Sequence, residues 1–276
     1  LAGESVTPFR IATMVAQILF ILVPTIVLAK LRFGNVREAF RLGRFRLSHI
    51  LLTIVAVFAL QQLLQAYMLL QETIPIELPP YLRDILQQLK EMMEVMYRTL
   101  TSAHSFGEFL FVVLVIAVTP AFCEELLFRG LIQRTIEEPP PTATMSAQER
   151  RRRGFTAAII AGVIFGLYHL NPFTLVPLAA LGVYFGFVVH RTQSIAPAIA
   201  AHFFNNFLAC LAVYLNLDEN FIAVSPTQKP TPEMVALNAA WSVVVFAAAT
   251  FSLVRITNGS DTRADHEESV SHQASL

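Results

Sequence analysis

Three stretches of this chain hold side chains that can move protons or steady a negative charge: Glu124-Glu125 with Arg129, Phe165 with His169, and His202 with Asn206. All lie inside or beside long apolar runs. A charge at a bilayer centre costs about 2.5–3.5 kcal/mol even on the lenient insertion scale, so such groups usually face a bundle interior and carry function. By type they suit hydrolysis: a carboxylate to take a proton from water, an imidazole to pass it on, and an imidazole and an amide to donate to a developing oxyanion. Glu125 and Arg129 stand one helical turn apart on one face, which allows an ion pair, while Glu124 points about 100° away. Phe165 lies one turn before His169 and would wall one side of it. His202 and Asn206 share a face, with Asn205 on the neighbouring one. Each motif alone also has a structural reading, as acids paired with arginines at a membrane edge or as polar packing between helices.

The segments that must position these groups are apolar. Of 276 residues, 55% are hydrophobic and 14% charged, with a mean hydropathy of +0.56; an ordinary soluble domain is about 25% charged. Runs near 20 apolar residues span hydrocarbon, which makes the fold an all-α, polytopic transmembrane helical bundle of about seven spans. They run near Arg10–Ala29, Ser48–Leu70, Glu108–Leu131, Phe155–Leu170, Phe173–His190, Ile195–Leu215 and Val235–Val254. Asn171-Pro172 marks a tight connection, because proline lacks an N–H and disfavours helix just before it. Tyr81–Leu100 has the charged, amphipathic pattern of an interfacial helix. The loop Glu137–Arg153 and the tail from Thr257 are polar and are expected to be mobile. The organisation is then 1–107 as a transmembrane pair plus the amphipathic segment, 108–215 as the core, 216–256 as a last span and 257–276 as a polar tail.

Charge sets orientation and excludes one partner class. The formal net charge is zero, so a nucleic-acid partner has no electrostatic support; membrane lipid is the implied surroundings. Lys30, Arg32, Arg37, Arg41, Arg44 and Arg46 face one acid, Glu38, and a second basic loop holds Arg134 and Arg150 to Arg153. Basic loops stay cytoplasmic, giving an integral, multi-pass protein of the cytoplasmic membrane with its N-terminus outside and C-terminus inside. The sequence begins at Leu1 and shows no cleavable signal pattern there. Cys123 and Cys210 read as small buried hydrophobes, although Cys123 adjoins the Glu pair and a thiol nucleophile is an alternative.

The trio EELLFRG, FGLYH and HFFNN, complete and in order between about Glu108 and Leu215, resembles the motifs of the CPBP (CAAX protease and bacteriocin-processing) intramembrane endopeptidases, the type II CAAX prenyl endopeptidases among them. The resemblance implies that Glu124 activates water together with His169, that His202 and Asn206 hold the oxyanion, and that Glu125 and Arg129 position the first motif. The implied activity is hydrolysis of a peptide or lipidated-protein substrate at a site opening to the cytoplasm. Non-catalytic relatives acting as scaffolds or immunity proteins, and a transporter using the Glu and His groups as a proton relay, are the alternatives. Glu124, His169 and His202 also match the two-His, one-carboxylate set of catalytic zinc, but no H-E-x-x-H helix occurs, and metal-free activation is the preferred reading. One tension follows from the spans. Glu124 and His202 fall about seven residues from the inner end, whereas His169 falls at the outer end, a mismatch of about 10 Å.

Overall fold

The computed structural model describes residues 6–43, 45–73, 79–139, 145–217 and 231–274, with backbone only at 72 and 259–274. Among the described residues the secondary structure is helical throughout: α1 (Thr7–Phe33), α2 (Val36–Ala39), α3 (Leu47–Thr73), α4 (Pro80–Thr101), α5 (Phe106–Glu137), α6 (Ala147–Tyr168), α7 (Leu175–Thr192), α8 (Ala196–Tyr214) and α9 (Pro232–Ala274). Six helices, α1, α3, α5, α7, α8 and the part of α9 to Asn258, are long and apolar enough to cross a membrane. The fourth expected span corresponds to α6, whose first turns hold Arg150 to Arg153. Phe20 on α1 and Trp241 on α9 are exposed, as befits helices whose solvent is hydrocarbon.

Local chemistry starts the helices where they start. The Ser105 hydroxyl caps α5 by accepting from the Glu108 N–H. Ser146 and Glu149 form a reciprocal capping box on α6, and the hydrogen bonds from the Ser146 hydroxyl and N–H hold the Glu149 carboxyl below its ordinary range. Proline sits in the first turn of α1, α4, α8 and α9, where its missing N–H has no intrahelical partner to lose. Between α6 and α7 the chain turns at Leu170, with φ of 50°, and the Asn171 carboxamide oxygen accepts from Phe173 N–H at 3.0 Å.

Helices α6 and α7 form the tightest pair because small residues face each other. A Cβ placed on Gly162 would lie 2.3 Å from Val183 N, and one on Gly182 would lie 2.8 Å from Gly162 O. Against this pair pack α5, α3 and α8. Buried Arg10 of α1 ties three elements together: it donates to Leu100 O at 3.0 Å and Thr99 O at 3.2 Å, to Ser102 O, and to the Glu108 carboxylate at 2.6 Å. The C-terminal end of α4 is thereby fixed, while Tyr81, Ile85 and Met92 along it are exposed, in keeping with the amphipathic reading.

Three expectations change. Glu137 belongs to α5, where it pairs with Arg41 and accepts from Gln133 at 2.9 Å; Arg153 donates to Ile136 O at 2.7 Å and Glu138 O at 3.1 Å. The expected mobile loop is thus ordered at both ends, and its middle, 140–144, lies outside the described residues. The tail from Thr257, expected without structure, continues α9 as helix to Ala274. Finally, α5 runs six residues beyond Leu131, because buried Gln133 and Glu137 find polar partners inside the bundle instead of water.

That last change removes the depth mismatch. Glu137 and His190 meet at 3.4 Å, and Gly154 of α6 lies directly against His190, so these residues define one level. From it, Glu124 is about 20 Å up α5 and His169 about 22 Å up α6, at 1.5 Å per residue.

Candidate active site

Glu124 and Glu125 close the regular segment of α5 between two wider, π-helical stretches, Leu114–Val118 and Leu126–Gln133. The first has a cause in the sequence. Pro120 has no N–H for the carbonyl four residues back, Ile116 O, and its ring pushes that carbonyl aside. The backbone widens, Thr119 N–H reaching Leu114 O, and Ile116 O accepts from the Asn206 side-chain amide at 3.1 Å. Because a carbonyl only accepts, this contact decides which end of the Asn206 carboxamide carries the nitrogen. The Asn206 oxygen in turn accepts from the Asn205 amide at 3.3 Å.

The two acids diverge as the helix requires. Glu125 is fully buried, and its Oε1 accepts from Arg129 Nη1 at 2.8 Å and contacts His202 Nδ1 at 2.8 Å. Arg129 also donates to Gly182 O at 2.8 Å, and its guanidinium lies over the rings of Phe165 and Phe185 at 4.7 and 5.3 Å. Glu124 points the other way. Its Oε2 is buried with no hydrogen-bond partner, 3.9 Å from His169 Nε2 and 4.0 Å from His202 Nε2. A buried polar atom without a partner calls for an explanation, and this one borders a cavity shared with two imidazole nitrogens that lie just beyond direct bonding distance.

Both imidazoles are oriented from behind. His169 Nδ1 contacts Phe165 O at 2.8 Å; the carbonyl accepts, so Nδ1 carries a proton, and Nε2 is the nitrogen turned toward Glu124. His202 Nδ1 faces the Glu125 carboxylate, and its ring stacks on Phe185 at 5.5 Å. Phe165 walls His169 at 4.7 Å, as its spacing implied, and also reaches His202 at 5.9 Å. These groups line one cavity of about 170 Å³, bounded by Pro120, Glu124, Phe165, His169, Leu178, Leu181, Phe185, His202, Asn205 and Asn206. His169 is the wettest of the three ionisable groups, its side chain 28% exposed against 7% for Glu124 and 6% for His202, and so marks the open side.

Every residue singled out for catalysis therefore meets at this cavity, with Glu125 and Arg129 just behind it. Pro120, Leu178, Leu181, Phe185 and Asn205 were not singled out. A proline inside an apolar span was the readable signal for the first, since it must free a carbonyl; the leucines and Phe185 carry no sequence mark. Cys123 and Cys210 are buried free thiols, and neither lines the cavity. For the alternative zinc set, Glu124 Oε2 stands 3.9 and 4.0 Å from the two imidazole Nε2 atoms. Zinc ligands at 2.0–2.2 Å in a tetrahedral shell stand about 3.4 Å from each other, closer than the separations here, and among the described residues no group of three His, Cys, Asp or Glu side chains is arranged to hold a metal.

Comparison with known proteins points to the same stretch. Residues 106–208 match the family model described as type II CAAX prenyl endopeptidase Rce1-like, a range from the start of α5 into α8 that contains all three motifs. No curated protein and no solved structure matches the chain.

Proposed function

We propose that this chain is an intramembrane endopeptidase that hydrolyses a peptide bond of a membrane-associated peptide or lipidated protein, without a metal. The observation that carries the reading is the unpaired Glu124 Oε2 held between two imidazole Nε2 atoms in a shared cavity. The Rce1-like match supports a protease of the CAAX kind.

A water between Glu124 Oε2 and His169 Nε2 would donate to both acceptors at once, which raises the electron density on its oxygen. As that oxygen bonds to the scissile carbonyl carbon, Glu124 takes the proton and the carbonyl oxygen becomes an oxyanion. His202 and Asn206 are the donors for it. With Nδ1 of His202 committed to Glu125, donation from Nε2 requires the imidazolium, whose charge offsets that left when Arg129 neutralises one of the two carboxylates. Asn206 has one amide hydrogen on Ile116 O and a second free for the oxyanion. Collapse breaks the C–N bond, and the proton held by Glu124 passes, directly or through His169, to the departing amine.

The test compares membrane peptides in cells carrying wild type and Glu124→Gln, followed by cleavage of the accumulated peptide by purified enzyme. Accumulation with Glu124→Gln alone and cleavage by wild type alone support the reading. Identical peptide profiles, or solute flux in proteoliposomes that survives Glu124→Gln, would replace it with a scaffold or a transporter. Metal analysis of the purified protein, paired with chelator treatment, checks the metal-free mechanism: activity lost to chelator and restored by zinc overturns it.

A further inference from the structure

Asn205 is the one polar residue on the cavity wall to which neither the motifs nor the mechanism assigns work. It is half-buried on α8, one residue before Asn206, and lines the cavity beside His202. Its amide nitrogen is 3.3 Å from the Asn206 carboxamide oxygen, while the Asn206 nitrogen is 3.1 Å from Ile116 O. A carboxamide has one acceptor oxygen and two N–H donors. With the oxygen held by Asn205 and one N–H held by Ile116, Asn206 cannot rotate, and a single N–H remains to meet the substrate.

We propose that Asn205 is a positioning residue that, with the carbonyl freed by Pro120, clamps the Asn206 amide so that its remaining N–H faces the oxyanion. The inference rests on the peptidase reading and adds a specific part to it. An amide that turned over about its last side-chain bond would present its oxygen to the cavity, placing an acceptor where negative charge develops. Preorganised donors contribute because they need no reorganisation as the charge appears. The clamp is a way to obtain that from a flexible side chain. It also distinguishes the two asparagines, which composition alone leaves equivalent: Asn206 touches the reacting atoms, and Asn205 acts through it.

The test is a double-mutant cycle on the purified full-length protein in detergent, with Asn205→Leu, Asn206→Ala and the pair. Asn205→Leu keeps the shape of the side chain and removes the donor. Its expected effect is a fall of about tenfold in kcat, the scale of one ordinary hydrogen bond, with KM within about twofold of wild type. In the background of Asn206→Ala the same change should cost nothing further, since a clamp without its amide has no role. Losses that multiply in the pair, a KM effect without a kcat effect, or wild-type kcat in Asn205→Leu would overturn the proposal. An experimental structure of Asn205→Leu tests the clamp apart from turnover: the Asn206 amide should leave Ile116 O or become disordered, and an amide still seated on Ile116 O refutes it. If wild type cleaves nothing, the peptidase reading falls, and this structural outcome still decides whether Asn205 holds the amide.

Discussion

Glu124 and Glu125 are neighbours in the chain and opposites in their surroundings. Glu125 has an Arg129 partner and a His202 partner at 2.8 Å each; Glu124 has a buried oxygen with none. Replacing either by glutamine should therefore have unequal effects on stability. Glu125→Gln strands a buried guanidinium, and breaking a buried pair costs about 3–5 kcal/mol, so the expectation is a protein that melts far earlier in detergent and is inactive. Glu124→Gln removes no hydrogen bond at Oε2 and leaves the contacts of Glu125 with Arg129 and His202 in place, so the expectation is a melting temperature close to wild type with peptidase activity abolished. Equal destabilisation of the two variants would mean that Glu124 is held as a structural group. For the donors, removal of one from an oxyanion site typically lowers turnover about 10²–10³-fold. His202→Ala and Asn206→Ala are expected to fold and to lose activity on that scale, read as kcat in the cleavage assay. At this scale the candidate site was legible, because an acid, two imidazoles and an amide are conspicuous in apolar runs. What was not legible was the sharing of Glu125 between Arg129 and His202, since a pairing across elements leaves no mark in local spacing.

Among the elements, α5 departs furthest from a regular helix, and it does so around the site. Pro120 forces the wide turn at Leu114–Val118 and frees the Ile116 carbonyl that Asn206 occupies. Pro120→Ala would restore an N–H to the position, letting the helix close and capture Ile116 O in its own backbone ladder. The expected outcome is a protein at least as stable in thermal melts, with kcat reduced because the Asn206 amide loses its anchor. A destabilised variant with normal kcat would show that the wide turn serves packing alone. The glycines of α6 and α7 test packing directly. Gly162→Ala puts a methyl 2.3 Å from backbone Val183 N, which no side-chain rotation relieves, so overpacking of about 1–3 kcal/mol is expected as a lower melting temperature. Sequence patterning located both helices and the turn at Asn171-Pro172 between them. It ended α5 at Leu131 because Gln133, Arg134 and Glu137 read as loop residues; hydropathy is computed along the chain and cannot register that Gln133 donates to Gly186 O on another helix.

In the whole molecule, the two basic regions separated in sequence come together at one end of the bundle. Arg32 meets Glu138 at 3.3 Å, and Arg41 meets Glu137, so the loop after α1 and the loop after α5 share a level, as an alternating topology requires. The positive-inside rule predicts the cytoplasmic side for that end. The cavity lies about 20 Å from it along α5, well inside a hydrocarbon core of about 30 Å, and water must reach it from one face. Leu178 lines the cavity without belonging to the catalytic set, and both native thiols are buried, so a cysteine at this position reports on access with little background. If the cavity opens to the cytoplasm, a membrane-impermeant thiol reagent should label Leu178→Cys in inside-out vesicles and leave it untouched in right-side-out ones. The reverse pattern would assign the opening to the outer face and exclude cytoplasmic proteins as substrates, while leaving the geometry of Glu124, His169 and His202 intact. Labelling from neither side would mean that a substrate enters between helices from the bilayer, and Leu178→Cys should then react with a lipid-soluble thiol reagent.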